Sequence, residues 1–224
     1  MGVVDIIDDR TAASRFAGMP IEFYNANPCG DAGAAADVIE VATERFGGLP
    51  DVIGCHAGVV VSAAVLEMTE DDLDRTFAAN VRAAFMLAQA GARAWVAAER
   101  GGHLIFTSSW VAGVAWPAIS AYSASKAALE SLARSFANEL PAFGIRANCI
   151  APGIVGAGLA LRQWQEDPGY RAIAERAIPL GGLQDPKSVP DAYAFLCSDD
   201  AAYMTGSTLT VDGGCSLYPA ARDR

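Results

Sequence analysis

The chain has 224 residues, of which 52% are hydrophobic and 19% are charged, and its formal net charge at pH 7 is −10. This composition is typical of a folded globular chain with a substantial core, and it excludes an intrinsically disordered one. The acidic balance argues against binding to nucleic acid or to an anionic membrane surface, because both need clusters of Lys and Arg side chains.

Residues that form disulfides or bind transition metals are few and scattered. The five cysteines show no Cys-x-x-Cys spacing, and the sequence has only two histidines, His56 and His103. We therefore expect reduced thiols, a cytoplasmic location and no metal site. Residues 1–9 carry acidic side chains where a signal peptide would need basic ones, and no apolar run is long enough to span a membrane.

Predicted strands and helices alternate along the chain. Strands are expected at residues 3–7, 21–24, 51–54, 102–107, 145–150 and 208–211. Helices are expected at residues 11–16, 34–46, 73–99 (as one or two helices), 122–140, 159–176 and 186–197, with Asp31, Thr69 and Asp185 as caps. The alternation predicts a single α/β domain, residues 1–224, in which a parallel sheet lies between two layers of helices.

One stretch, residues 109–126, reads S-W-V-A-G-V-A-W-P-A-I-S-A-Y-S-A-S-K and joins a predicted strand to a predicted helix. Tyr122 and Lys126 are four residues apart, so a helix places them on one face, one turn from each other. Because a nearby ammonium favours the phenolate, we expect Lys126 to lower the pKa of Tyr122 toward efficient proton transfer. Ser109 can donate a hydrogen bond to the same reacting oxygen. Taken alone, a Tyr–Lys pair at this spacing is more often a chance feature of a helix.

The order of these residues resembles the short-chain dehydrogenase/reductase family, in which Ser, Tyr and Lys occur in this order and at this spacing. Asn80, in the segment F-A-A-N-V, matches the asparagine that joins the family's catalytic set, although alone it would be read as a helix-packing amide. The segments I-R-A-N, P-G, T-G and V-D-G-G match later parts of the family pattern. The resemblance implies a Rossmann-like fold and a catalytic set of Asn80, Ser109, Tyr122 and Lys126, in which Asn80 holds a water in a proton relay.

The resemblance also implies where a nicotinamide cofactor binds. His56 stands where the family has the second Asn of Asn-Asn-Ala-Gly, and its ring either contacts the cofactor or simply packs. Asp8 or Asp9 resembles the ribose-binding acid of members that prefer NAD. The implied cofactor-binding residues are Asp8, Asn27, His56, Ala57, Gly58, Tyr122, Lys126, Pro152, Gly153 and Val155.

The sequence departs from the family near its first residues. It contains no Gly-x-x-x-Gly-x-Gly turn to receive the cofactor pyrophosphate, and its first strand resembles the family's second, so one βα unit is lacking. Three arrangements are open: residues 3–7 form the central strand, the sheet closes in another way, or the natural chain starts earlier. The glycine-rich loop at residues 153–158 does not have the spacing of a dinucleotide fingerprint, so we assign it to the substrate or the nicotinamide.

The resemblance implies an NAD(P)-dependent oxidoreductase that interconverts a secondary alcohol and a ketone, with NAD preferred to NADP. Two alternatives stay open. One is a non-redox enzyme similar to halohydrin dehalogenases, which carry Arg where this chain has Lys126; the other is a truncated, catalytically silent family member. The expected partners are a small-molecule alcohol or ketone, in a pocket shaped by Trp110, Trp116 and Leu159, and further copies of the chain in a dimer or homotetramer.

Overall fold

The computed structural model of the protein describes residues 1–5, 9–15, 17–19, 22–25 and 32–217. The strands in these ranges are β1 Gly2–Asp5, β2 Glu22–Asn25, β3 Val52–Cys55, β4 Gly102–Thr107, β5 Ile145–Pro152 and β6 Thr208–Val211. The α-helices are α1 Asp9–Arg15, α2 Ala32–Phe46, α3 Glu70–Phe77, α4 Ala83–Ala97, α5 Ser120–Glu139, α6 Gly158–Glu166, α7 Pro168–Ala177 and α8 Ser188–Cys197.

All described strand pairs are parallel, as the alternation of strands and helices predicts. β3, β4, β5 and β6 form one sheet in that order, and β1 pairs with β2 in a second, two-stranded sheet. Within the described ranges, the edge of β3 that faces away from β4 has no pairing strand. Among the described residues, β1 lies in a different sheet from β3, so the arrangement in which the first strand lies in the centre beside β3 is wrong. The predicted fold class, a Rossmann-like parallel sheet flanked by helices, is confirmed.

Helices cover both faces of the four-stranded sheet. Ile53 and Cys55 of β3 belong to a buried cluster with side chains of α4 and α5, whereas Val52 packs against a second cluster that includes Leu196 of α8. The opposite directions follow from the pleat, since successive side chains of a strand point to opposite faces. The largest buried side chain of the first cluster is Trp95, whose indole nitrogen donates to the Pro50 carbonyl at 2.8 Å.

The helical run between β3 and β4 contains an irregular turn. α3 begins after Thr69, whose hydroxyl oxygen accepts the backbone N–H of Asp72 at 3.1 Å, so the predicted cap is confirmed. The chain then forms a π-helical turn at Ala78–Arg82 before α4 starts. π-helical turns are rare and often lie at functional sites. This one carries Asn80.

Several predicted bounds differ from the structure. The helical segment predicted at residues 159–176 consists of two helices, because Asp167 ends α6 and caps α7 by accepting two backbone N–H groups. Asp185 is not the cap of α8: its carboxylate accepts the N–H of Lys187 in the turn that precedes the helix. Asp31 lies outside the described residues.

Candidate active site

The three residues singled out from residues 109–126 meet at the carboxyl end of β4. Ser109 follows β4 in an extended conformation and is 7% exposed. α5 begins at Ser120, so Tyr122 lies in its first turn and Lys126 one turn later. The Lys126 Nζ lies 5.5 Å from the centre of the Tyr122 ring, and the Ser109 hydroxyl is close enough to the Tyr122 phenol to act on its pKa. The structure therefore brings Ser109, Tyr122 and Lys126 together.

Lys126 is a buried cation at the end of the sheet. Its side chain is 3% exposed, and Nζ donates to the Thr107 carbonyl at 2.7 Å. Burial penalises the charged form and lowers the pKa of Lys126 to about 8. A lysine in such a position is costly to the fold, which is typical of a group kept for its chemistry.

The pKa of Tyr122 differs from the sequence-based expectation. Burial raises it above the ordinary value for tyrosine, and the Ser109 hydroxyl acts in the opposite direction without reversing the shift. The expectation of a net lowering of the Tyr122 pKa is therefore wrong. The physical reason is that desolvation of the phenolate dominates, while the ammonium group is directed to the Thr107 carbonyl.

Asn80 ties the site to the loop that follows β3. It is fully buried; its Oδ1 accepts the N–H of Val59 at 2.7 Å, and its Nδ2 donates to the Val59 carbonyl and to Ser125 Oγ, both at 2.9 Å. Ser125 in turn donates to the Tyr122 carbonyl at 2.7 Å. The Asn80 side chain thus fixes the loop and the first turn of α5 relative to each other.

The loop at residues 56–59 passes close to the candidate catalytic residues Asn80 and Lys126. A Cβ added to Gly58 would lie 3.1 Å from Asn80 Oδ1 and 3.4 Å from Lys126 Nζ, so a larger residue here would press on both. His56 Nδ1 lies 3.0 Å from Thr107 Oγ1. Burial and the positive charge of Lys126 lower the pKa of His56. Ala57 lies between His56 and Gly58 in the sequence and has no polar side-chain group.

The predicted nicotinamide segment lies at the end of β5. Pro152 is the last residue of the strand, and the N–H of Gly153 donates to the Val211 carbonyl at 3.0 Å and to Gln184 Oε1 at 2.7 Å. Glycine is required at position 153, because a Cβ would lie 2.7 Å from the Asp212 Cα. Val155 bridges to Gln184. Asp8 and Asn27, the two remaining predicted cofactor residues, lie outside the described residues.

An apolar cluster adjoins the catalytic groups. Trp110 is buried, Trp116 meets it edge to face with ring centres 5.1 Å apart, and Tyr122 packs against the same cluster. Leu159 lies near the start of α6 and is 39% exposed. The structure therefore groups the two tryptophans with Tyr122 and leaves Leu159 at the surface.

Two residues near Lys126 were not singled out from the sequence. Thr107 supplies the carbonyl that binds the ammonium group, and Tyr193 of α8 hydrogen-bonds the Thr107 hydroxyl. The Thr-Ser-Ser segment at the end of a predicted strand pointed to the position of Thr107 without indicating its contacts. Nothing in the sequence indicated Tyr193, because its contact depends on how α8 packs on the sheet.

Comparison with known proteins places the chain in a family. A family model described as enoyl-(acyl carrier protein) reductase matches residues 17–216. (3R)-3-Hydroxyacyl-CoA dehydrogenase of Homo sapiens is 36% identical over 184 residues, which cover 82% of this chain and 69% of the relative. The chain belongs to the short-chain dehydrogenase/reductase family.

Solved structures of the short-chain dehydrogenase/reductase family share its fold. The crystal structure of acetoin dehydrogenase from Enterobacter cloacae is 32% identical, with a TM-score of 0.82, and the match covers 100% of this chain and 87% of that chain. Gluconate 5-dehydrogenase from Burkholderia cenocepacia, solved in complex with NADP and tartrate, is 25% identical, with a TM-score of 0.87, and the match covers 97% of this chain and 85% of that chain.

The described residues fit one half of a nicotinamide dinucleotide. Lys126 has three N–H donors, and the hydrogen bond that the described residues give it is to the Thr107 carbonyl, so donors remain for the hydroxyls of a ribose. Gly58 and Gly153 add no space for a ring, because a Cβ at Gly58 would meet Asn80 and Lys126 and a Cβ at Gly153 would meet the backbone of Asp212. For the pyrophosphate the sequence offers no Gly-x-x-x-Gly-x-Gly turn. The fit therefore rests on the ribose beside Lys126.

Two further findings concern membranes and metals. Among the residues that the structure describes, no helix has the length and apolar character needed to cross a membrane. Within the same ranges, no three His, Cys, Asp or Glu side chains come together as metal ligands would.

Proposed function

We propose that the protein is an NAD(P)-dependent oxidoreductase that interconverts a secondary alcohol and a ketone, with Tyr122 as the general acid and base. The observation that carries the proposal is the buried Lys126 one turn from Tyr122, with the Ser109 hydroxyl close to the phenol. A structural role does not account for a lysine with a pKa of about 8 beside a buried phenol.

The proton follows a short path in the reduction direction. The carbonyl oxygen of the ketone is bound by the hydroxyls of Ser109 and Tyr122, and Tyr122 transfers its proton to that oxygen. When bound, the nicotinamide supplies the hydride to the carbonyl carbon. Lys126 stabilises the phenolate that remains, since its buried ammonium group lies 5.5 Å from the centre of the ring.

The pKa of Tyr122 sets the favoured direction of proton transfer. Because burial raises this pKa, the phenol is protonated at neutral pH and ready to donate. We expect reduction of a ketone to proceed at pH 7 and oxidation of an alcohol, which needs the phenolate, to speed up as the pH rises. Asn80 supports both directions by fixing the loop at Val59 and the turn that carries Tyr122, and we assign to it the relay water that the family pattern implies.

We propose NAD rather than NADP as the preferred cofactor. The support comes from the sequence, in which Asp8 and Asp9 stand where the family's ribose-binding acid is expected and would repel the 2′-phosphate of NADP. Arg10 is the neighbouring residue that would favour NADP. The remaining cofactor contacts are assigned to Asn27, His56, Ala57, Gly58, Pro152, Gly153 and Val155, together with Tyr122 and Lys126.

The substrate is proposed to be a small, uncharged alcohol or ketone with an apolar substituent. Trp110 and Trp116 support this class because they belong to the apolar cluster that includes Tyr122. Leu159, exposed at the start of α6, is assigned to the rim of the same pocket. Relatives act on substrates as different as an acyl-CoA, acetoin and gluconate by their names, so the class is argued from these side chains alone.

The proposal extends to the assembly of the chain. We propose one cytoplasmic domain, residues 1–224, that forms a homodimer or homotetramer through α4 and α5. A groove of about 410 Å³ lies between these helices and is lined by apolar side chains that include Phe85, Val96, Leu132, Phe136 and Phe143. Sedimentation of the purified chain at micromolar concentration tests this, and a monomer at all concentrations contradicts it.

A calorimetric titration with NADH and with NADPH tests the cofactor assignment directly. We expect NADH to bind more tightly, and Lys126→Met to weaken binding of both, because the ribose loses its ammonium partner. Wild-type protein that binds neither dinucleotide and turns over no ketone contradicts the proposal. Chloride release from a halohydrin without added cofactor would instead support the dehalogenase alternative, and a stable oligomer without dinucleotide binding the catalytically silent one.

A further inference from the structure

Three side chains from three separate elements meet beside Lys126, outside the catalytic set. His56 follows β3, Thr107 ends β4 and Tyr193 lies in α8. His56 Nδ1 is 3.0 Å from Thr107 Oγ1, and the Tyr193 hydroxyl hydrogen-bonds the same oxygen. The rings of His56 and Tyr193 lie edge to face, with centres 6.3 Å apart. Thr107 Oγ1 is therefore held from two sides.

Thr107 connects this group to the catalytic lysine. Its side-chain oxygen bonds His56 and Tyr193, and its backbone carbonyl accepts the hydrogen bond of Lys126 Nζ at 2.7 Å. Thr107 is 7% exposed, and the next residue, Ser108, is bound through its N–H to the Ile150 carbonyl at 2.8 Å. Among the residues that the structure describes, His56 and Tyr193 supply the hydrogen bonds that fix the Thr107 side chain.

We propose that His56 and Tyr193 are positioning residues for Lys126, because they orient Thr107 so that its carbonyl holds the ammonium group. The kinetic part of this inference rests on the proposed function, whereas the structural part does not. It also bears on the two roles that the sequence left open for His56: Nδ1 bonds Thr107, which leaves Nε2 for the proposed cofactor contact.

Each group in the chain of hydrogen bonds can be satisfied when His56 is neutral. Tyr193 donates to Thr107 Oγ1, and the Thr107 hydroxyl donates to His56 Nδ1. Burial raises the pKa of Tyr193 to about 12, so its phenol keeps the proton that it donates. The charge of Lys126 and burial lower the pKa of His56, which keeps Nδ1 available as an acceptor.

β3 leaves space for the Tyr193 ring through a glycine. A Cβ added to Gly54 would lie 3.5 Å from a ring carbon of Tyr193 and 3.9 Å from its hydroxyl oxygen, which is ordinary contact. An alanine at this position would therefore just fit, and a branched side chain would displace the ring. The contact between α8 and β3 is what lets the phenol reach Thr107.

The matched pair Thr107→Val and Thr107→Ser tests the inference. Valine removes the hydroxyl at nearly constant shape, and serine keeps it. The first readout is the pKa of Lys126, measured by ¹³C NMR of its ε carbon. The other titratable groups that face Lys126 are Tyr122 on α5, His56 after β3 and Cys149 on β5. The Cys149 thiol stays neutral, because its pKa is about 12. Because a weakened hydrogen bond to the carbonyl disfavours the ammonium form, we expect Thr107→Val to lower this pKa by about half a unit or more.

The second readout is the kinetics of ketone reduction. We expect Thr107→Val and Tyr193→Phe each to lower kcat on the order of tenfold at unchanged KM for the ketone, since a misplaced lysine affects the chemical step. Thr107→Ser should restore both values, and Tyr203→Phe, which removes the hydroxyl of a fully exposed tyrosine, should match the wild type.

The outcomes separate this inference from the proposed function. An unchanged Lys126 titration in folded Thr107→Val and Tyr193→Phe overturns the inference, whatever the activity. A shifted titration in a protein that reduces no ketone supports the positioning role and counts against the proposed reaction alone. If Thr107→Val does not fold, Tyr193→Phe decides by itself, because it removes one hydroxyl and leaves Thr107 intact.

Discussion

The two ends of β4 carry two different kinds of buried polar cluster. At the amino end, His103 bonds Asn148 through Nε2 at 2.9 Å and lies 3.3 Å from an Arg146 guanidinium nitrogen through Nδ1. At the carboxyl end, Thr107 and Ser109 adjoin Lys126 and Tyr122. Both clusters contain a base whose pKa is lowered, to about 4 for His103 and to about 8 for Lys126.

The partners of the two clusters explain the difference between them. Asn148 and Arg146 form hydrogen bonds with the backbone of the segment before β6. Their partners there include the carbonyls of Ala201 and Met204 and the N–H of Ser207. The amino-end cluster therefore fastens one part of the fold to another. Lys126 and the Ser109–Tyr122 pair keep donors for a molecule from outside, at the end of a parallel sheet where ligands usually bind. Burial and a shifted pKa do not identify a catalytic group unless spare hydrogen-bonding capacity accompanies them.

Lys126→Met gives the largest expected effect at the carboxyl end. We expect ketone reduction to fall by about 10² to 10⁴, the usual range for a lost contribution to acid–base catalysis. The same change should stabilise the fold by about 3 kcal/mol at pH 7, because the folded pKa of about 8 lies below the ordinary value of 10.5 and the buried cation opposes folding. Urea denaturation of both proteins measures the gain.

The pH dependence of that gain supplies its control. Between pH 8 and 10.5 the unfolded state binds more protons at Lys126 than the folded state, so wild-type stability should rise through this range and the advantage of methionine should shrink. A Lys126→Met protein that is less stable than the wild type at pH 7 would mean that the ammonium group serves the fold, as the amino-end groups do.

Asn148→Ala should lower the stability of the fold and leave the rate of ketone reduction unchanged, the opposite of what is expected for Lys126→Met. Removing the amide leaves the Met204 carbonyl and the Ser207 N–H without their partner, at an expected cost of about 3 kcal/mol of unfolding free energy. We expect kcat to stay near the wild-type value, because this side chain contacts none of the catalytic groups. Asn138→Ala, at an exposed position of α5, is the matched control and should change stability by less than about 0.5 kcal/mol.

His103 should give the smallest effect, visible as a dependence of stability on pH. Its folded pKa of about 4 lies below the ordinary 6.5, so the unfolded state binds more protons between these values and stability falls as the pH falls. From pH 7 to pH 5 the loss should be about 2 kcal/mol. Denaturation of wild type and His103→Gln at both values checks this; an equal loss in the two proteins would assign it to other groups.

The sequence predicted the catalytic end of β4 better than its surroundings. Ser109, Tyr122 and Lys126 lie together as expected, because a strand end and one helical turn fix their spacing locally. The parallel pairing of β3 to β6 also followed from alternating strands and helices, whereas their order did not. The π-helical turn at Asn80 was not predicted, since helical periodicity does not distinguish one wide turn within a long run.

What depends on tertiary packing was not accessible from the sequence. The Tyr193 contact requires knowing which face of α8 meets β3, and the division of the sheet requires knowing that β1 pairs with β2 and not with β3. The predicted direction of the Tyr122 pKa shift was wrong, because the spacing of Tyr122 and Lys126 gives their proximity but not the extent of burial. Burial is the larger influence on this pKa. The assignments of Asp8 and Asn27 stay predictions.

The most direct test of the central claim compares wild type with Tyr122→Phe in the reduction of an uncharged ketone by NADH, followed by loss of NADH absorbance. We expect the wild type to turn over the ketone and Tyr122→Phe to have a kcat lower by a factor of about 10² to 10⁴. We expect both proteins to bind NADH. Equal rates in the two proteins would contradict the assignment of Tyr122 as the proton donor.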